Sequence, residues 1–199
     1  AFMLSKGLER ANLHKRFAIY MLRITGSGSP LKLVLGFMLT TAVLSMWISN
    51  TATILMMLPM AIAIINAVDN PRFGVALILG IAYSASLGGV GTPIGTPPNI
   101  IFMSVYEETQ GTEYSFIDWM KTGVPIVILG VPIIALWLAR GIKQVGNIDL
   151  PVPSTWTKAE KRVLAIFGTV ALAWIFRPFW TAWIGISTIS DSTIAVAGV

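Results

Sequence analysis

The stretch Ser45-Met46-Trp47-Ile48-Ser49-Asn50-Thr51-Ala52-Thr53 sits inside residues 33–68, a run of 36 positions without Asp, Glu, Lys, Arg or His. As one α-helix that run would be about 54 Å long, against a bilayer hydrocarbon core of roughly 30 Å. The chain therefore has to turn. The polar cluster Ser49-Asn50-Thr51, with Thr53 just beyond, marks the place. On either side lies a short apolar arm, residues 33–48 and 54–68. The first is about 24 Å long as a helix, and the second bends at Pro59 if helical. Both fall short of the about 20 residues that a spanning helix needs. The pattern predicts a re-entrant helical hairpin, residues 31–68, that enters and leaves by one membrane face. Two short spanning helices turning at 49–51 are the alternative.

A second uncharged run, residues 73–106, has the same problem in another form. Residues 73–87 read as helix until Gly88-Gly89-Val90-Gly91-Thr92-Pro93-Ile94-Gly95-Thr96-Pro97-Pro98-Asn99. Ten of those twelve are Gly, Thr, Pro or Asn, which do not sustain a continuous helix. Helix is expected to resume over residues 100–106. Irregular backbone at membrane depth persists only where protein buries it or where it lines a cavity. The second run is therefore predicted to be a broken transmembrane helix.

Composition agrees with both readings. Of 199 residues, 55% are hydrophobic and 12% charged, about half the charge of an ordinary soluble domain. The chain reads as an all-α, multi-pass integral membrane protein of a plasma or bacterial inner membrane. The absence of cysteine excludes a disulfide framework, a zinc cluster and a thiol nucleophile. A net charge of +5 does not point to nucleic acid, because the bases flank apolar segments as they do in cytoplasmic loops. Residues 5–25 mix bases, among them Arg10, Arg16 and Arg23, with apolar residues, as expected of a helix lying against anionic headgroups in the bilayer interface.

The division that follows is 1–30 (interfacial helix and linker), 31–123 (hairpin, broken helix over 73–106, and an external connection over 107–123) and 124–199. The last part is expected to hold a span over 124–139, a basic cytoplasmic loop over 140–162 and a further span from 163. Trp174, Phe179, Trp180 and Trp183 there form either an interfacial belt or ordinary packing. Six bases precede residue 33, one lies in the connection after Glu107 and five follow in the loop from Arg140. The positive-inside rule then puts the first and third regions in the cytoplasm and the second outside, which a returning hairpin satisfies. Ala1 at the start, and an apolar segment still under way at Val199, predict a piece of a longer protein.

The two interruptions are where chemistry is expected. Ser45 and Ser49 are four apart, hence expected on one helix face, immediately before Asn50 and Thr51. The end of the first arm exposes carbonyl oxygens beside the Ser hydroxyls and the Asn50 amide, the neutral oxygens that replace water around a small hard cation. The start of the second arm exposes N–H groups that favour an anion. Gly95-Thr96-Pro97-Pro98-Asn99 adds further carbonyls, a hydroxyl and an amide. Taken singly, either segment is also explained as a capped turn or a proline-kinked packing helix. Two such breaks in uncharged runs favour a binding site.

Ser45-x-x-x-Ser49-Asn50-Thr51 followed by Gly95-Thr96-Pro97-Pro98-Asn99 resembles the first half of the divalent anion–sodium symporters, which move di- and tricarboxylates. The resemblance covers nearly the whole chain. It implies half of an inverted-repeat, elevator-type transporter that works as a homodimer in the lipid bilayer. It also implies a sodium site at Ser45, Ser49, Asn50 and Gly95, with Ser49, Asn50, Thr51, Thr96 and Pro97 lining the substrate. Sodium is then the co-transported ion, and no organic cofactor is expected. Neither a second Ser-Asn-Thr nor a second Gly-Thr-Pro loop occurs, and residues 186–191 do not supply one. The implied function is sodium-coupled dicarboxylate uptake, with exchange within the same family or an ion channel as alternatives. A membrane enzyme fits poorly, because His14 is the only histidine and neither break contains an acid or a base.

Overall fold

A computed structural model describes residues 7, 10, 13–26, 28–68, 70–142, 155–184, 193 and 194. Its elements are helices: α1 (Leu13–Thr25), α2 (Pro30–Ser45), α3 (Asn50–Val68), α4 (Pro71–Val90), α5 (Pro97–Gln110), α6 (Phe116–Leu138), α7 (Lys158–Ile175) and α8 (Arg177–Ile184). The expected all-α class holds. Three of them, α3, α4 and α6, are long and apolar enough to cross a membrane. Residues 186–191 and most of the 140–162 loop lie outside the described residues.

Local chemistry sets most helix ends. Pro30 and Pro71 occupy first helical positions, where the missing N–H costs nothing, and Ser29 and Asn70 cap those starts. α5 ends at Gly111, whose φ of 67° favours glycine. α7 opens with a capping box between Thr157 and Glu160.

Two boundaries differ from expectation. α4 continues to Val90 and α5 starts at Pro97, so the break spans residues 91–96 rather than twelve positions. Proline is well tolerated in a first turn, and Gly88 and Gly89 stay helical because both are packed against α2 and its tip. The connection expected over 107–123 shrinks to residues 111–115, since α5 takes in Glu107 and Glu108 and α6 takes in Asp118 and Lys121. α3 runs through Pro59 without interruption, as α6 does through Pro125 and Pro132.

α4 is the centre of the molecule. α2 packs along it, with α3 and α6 against its other sides and α1 across α2. Leu33, Val34, Phe37 and Met38 of α2 meet Phe73, Leu77 and Ile81 of α4 in one buried cluster that Val131 of α6 completes. Small residues allow this approach: Gly80, Ser84 and Gly88 follow one another at four-residue intervals, the spacing by which membrane helices come close. A Cβ on Gly88 would overlap the carbonyl oxygen of Ala42, so the two backbones touch.

Charged contacts tie the periphery together. Arg16 of α1 is buried, and it donates from Nε and Nη2 to the Glu160 carboxylate at 2.9–3.0 Å while stacking over Trp156. Arg16 therefore departs from the headgroup-facing role expected of it, because Glu160 at the start of α7 offers a bidentate partner. Arg10 and Arg23 remain exposed. Arg177 pairs with Glu113 at 2.7 Å. Trp174 belongs to the packing rather than to a belt, since it stacks on Phe116 at 5.4 Å with 2% of its surface exposed. Phe179 and Trp183 are exposed.

Candidate cation and carboxylate site

α2 ends at Ser45 because residues 46–49 turn the chain into α3, and that turn brings Ser45 against Asn50 and α4. The Ser45 hydroxyl lies 2.7 Å from Asn50 Oδ1 and 2.7 Å from the carbonyl oxygen of Ala85. One hydroxyl proton serves one acceptor at a time, so Ser45 Oγ and Asn50 Oδ1 keep lone pairs to spare. Ser45 is fully buried and Asn50 partly so. Surplus lone pairs in an uncharged interior are what a small hard cation takes up.

Glycine shapes the surroundings. A Cβ on Gly89 would lie 2.6 Å from Asn50 Oδ1, so the amide rests on bare Cα. A Cβ on Gly95 would lie 2.5 Å from the Gly89 carbonyl oxygen and 2.9 Å from that of Ser45. The break and the α2–α3 tip are thus in backbone contact. Thr92 reinforces this by donating its hydroxyl to the Met46 carbonyl. Among the described residues no cluster of three or more His, Cys, Asp or Glu exists, so oxygens of neutral groups are what the interior offers an ion.

The other expected site residues lie nearer the surface. Thr96 precedes α5 in extended conformation, and its side chain makes no capping bond. Thr51 and Pro97 are exposed and Thr96 is half-buried. Ser49 is exposed beyond the end of α2, so it does not share a helix face with Ser45. Its hydroxyl accepts from the Ala52 N–H at 3.3 Å, which caps α3. The N-terminal N–H groups of α3 and α5 both belong to these turns.

A model of the citrate transporter family matches residues 1–198. The chain belongs to this family. Its three long apolar helices fit a multi-pass membrane protein of that family. It is 37% identical over 218 aligned residues to the sodium-dependent dicarboxylate transporter SdcS of Staphylococcus aureus strain USA300, covering 98% of this chain and 42% of that protein. SdcS from strains NCTC 8325 / PS 47 and COL matches with the same figures. The chain spans 42% of the length of these curated relatives.

In this chain the structure brings Ser45, Asn50 and Gly95 together and leaves Ser49, Thr51 and Pro97 exposed. Several participants were not singled out from sequence. The Ala85 carbonyl carries no sequence signal, because any residue supplies one. Gly89 was visible only as one of several glycines. Asn99 reads in sequence as a possible oxygen donor, yet its amide nitrogen donates to Gly89 O and Thr92 O at 2.8 Å each. Trp119 of α6 donates its indole N–H to the Val90 carbonyl at 2.7 Å, across 29 residues. The Thr53 hydroxyl, one turn beyond Asn50, is buried and has no hydrogen-bond partner among the described residues.

Proposed function

We propose that this chain carries the first cation site and part of the substrate site of a secondary transporter that couples sodium movement to uptake of dicarboxylates such as succinate. The observation that supports it most is the meeting of Ser45 Oγ, Asn50 Oδ1 and Ala85 O, with one proton for two acceptors. Sodium is the cargo that such neutral oxygens suit. Ser45, Asn50 and the Gly95 backbone supply the site, with Ser49 at its edge. The dicarboxylate lies on the other side of the tip, where Ser49, Asn50, Thr51, Thr96 and Pro97 face it with hydroxyls and helix N-terminal N–H groups. Sodium then provides the positive charge that makes this neutral surface attractive to a carboxylate.

In this reading α2 and α3 form a hairpin open to the cytoplasm. A second repeat elsewhere in the full protein contributes the opposing tip, the second sodium site and the grip on the other carboxylate. The transporter works as a homodimer in the bacterial plasma membrane and moves its substrate by an elevator motion. The 37% identity to sodium-dependent dicarboxylate transporters supports this assignment of ion and substrate class.

The test is uptake of labelled succinate, citrate and sulfate into vesicles containing the full-length protein, with sodium and with potassium in its place. Sodium-stimulated, saturable succinate uptake is expected. Equal uptake in both salts, or uptake driven only by a dicarboxylate on the opposite side, would replace symport by exchange. Uptake that neither saturates nor trans-stimulates would indicate a channel.

A further inference from the structure

Asn99 is the one buried residue of α5. Both hydrogens of its amide are used: one is donated to the Gly89 carbonyl and one to the Thr92 carbonyl, each at 2.8 Å. Gly89 lies in the last turn of α4, and Thr92 lies three residues further on, inside the break. One side chain in the first turn of α5 thus closes the interruption into a ring.

The Gly89 carbonyl held in this way is also the nearest neighbour of Gly95, 2.5 Å from where a Cβ would stand. The Cα of the same Gly89 is what the Asn50 amide rests on. Asn99 therefore reaches both proposed cation ligands through a single residue. It touches Gly95 through the Gly89 oxygen and Asn50 through the Gly89 Cα.

We infer that Asn99 is a positioning residue for the cation site: its two N–H groups hold Gly89 and the break where Gly95 and Asn50 need them, and its own oxygen is not a ligand. This rests on the sodium reading above. It concerns the geometry of the site rather than the identity of the transported anion.

Asn99→Asp and Asn99→Ala in the purified full-length protein separate the possibilities. Aspartate keeps the shape and an oxygen but sets a carboxylate against two carbonyls. Removing a group that orients a metal ligand typically weakens metal affinity about 10- to 100-fold. Both variants should therefore raise the half-saturating sodium concentration about tenfold or more, with Asp no better than Ala. This is read by sodium-dependent thermal stabilisation and by succinate uptake, and the succinate KM should return to the wild-type value at saturating sodium. If Asp binds sodium as well as or better than wild type while Ala loses it, Asn99 is a ligand and the inference is overturned. Lower yield or Vmax with unchanged sodium half-saturation would make Asn99 merely structural and also overturns it. Should neither variant fold, Asn99→Gln keeps the amide one methylene further out. It should still shift the sodium half-saturation, and an unchanged value overturns the inference. A wild type stabilised by sodium that takes up no succinate would defeat the transport reading and leave this one decided by stabilisation alone. A wild type indifferent to sodium in both assays overturns both.

Discussion

Residues 46–49 and residues 91–96 both interrupt apolar helices, and they are held by different means. The later break is braced from three directions. Asn99 takes the carbonyls of Gly89, just before it, and Thr92, within it; Trp119 takes that of Val90, and the Gly91 N–H returns to the Gly88 carbonyl. A buried carbonyl without a partner costs about 1–3 kcal/mol, so these donors let an irregular segment persist inside an apolar bundle. The earlier break has less of this. Its turn is fixed by helix-end bonds from residues 46–48 to the Ala42 and Leu44 carbonyls, and by Trp47 packing on Phe116 and Phe167. At its edges Ser45 has one proton for two acceptors, and the Thr53 hydroxyl has no partner among the described residues. One break is a finished support. The other keeps spare oxygen lone pairs at Ser45, Asn50 and Thr53.

Substitutions that remove this asymmetry should have the largest effects. Asn50→Ala takes the amide from the unsatisfied side and should abolish sodium-dependent uptake while the protein still reaches the membrane in normal amount. Near-normal uptake with unchanged sodium affinity would reduce Asn50 to a turn residue.

The two glycine contacts come next. A Cβ at Gly88 meets the α2 backbone, and overpacking of that kind typically costs about 1–3 kcal/mol, so Gly88→Ala should lower the melting temperature. A Cβ at Gly95, itself outside any helix, meets the carbonyls of Gly89 and Ser45 at the ends of α4 and α2. Gly95→Ala should therefore depress sodium affinity more than thermal stability. Sodium titrations and melting curves on the same two variants test the contrast, and an identical pattern in both would erase it.

A third effect lies away from the breaks and is smaller. The Thr157 N–H bond and the Arg16 guanidinium hold Glu160 below its ordinary value of 4.5. A depressed carboxylate pKa adds stability above the unfolded-state value, and that stability is lost as pH falls through the folded-state value. Glu160→Gln should thus lower the melting temperature at neutral pH. The difference from wild type should close as pH falls below about 4.5. A difference independent of pH would mean that packing, not charge, joins α1 to α7.

Thr53→Val should change least. The hydroxyl is buried without a partner among the described residues, so its removal should be neutral or mildly stabilising and leave transport unaltered. A fall in sodium affinity would instead enlist Thr53 as a further oxygen on the unsatisfied side.

Much of this arrangement was legible in the sequence because membrane thickness is a hard constraint. A 36-residue uncharged run has to turn, and Ser49-Asn50-Thr51 was the polar place to do it. Clustered Gly and Pro marked the second break, but not its limits. Glycine remains helical where packing rewards it, and proline starts helices as readily as it ends them, so the break is half the predicted length. Ser49 was expected on the face of Ser45, and the turn at residues 46–49 separates them. Arg16 looked like a surface base because its partner, Glu160, lies 144 positions away. The Trp119 bond to Val90 was invisible for the same reason: a tryptophan in an apolar helix carries no mark of the carbonyl it will meet.

The central claim is that neutral oxygens at Ser45, Asn50 and Gly95 bind sodium, and that sodium in turn makes the neighbouring surface attract a dicarboxylate. Calorimetric titration of the purified full-length protein tests it most directly, with succinate at several fixed sodium concentrations and with sodium at several fixed succinate concentrations. Binding linkage requires the two ligands to strengthen each other by the same factor. The account predicts a clear increase in succinate affinity with sodium, a matching increase in sodium affinity with succinate, and loss of both in Asn50→Ala. Isotherms for each ligand that do not change with the other would contradict it.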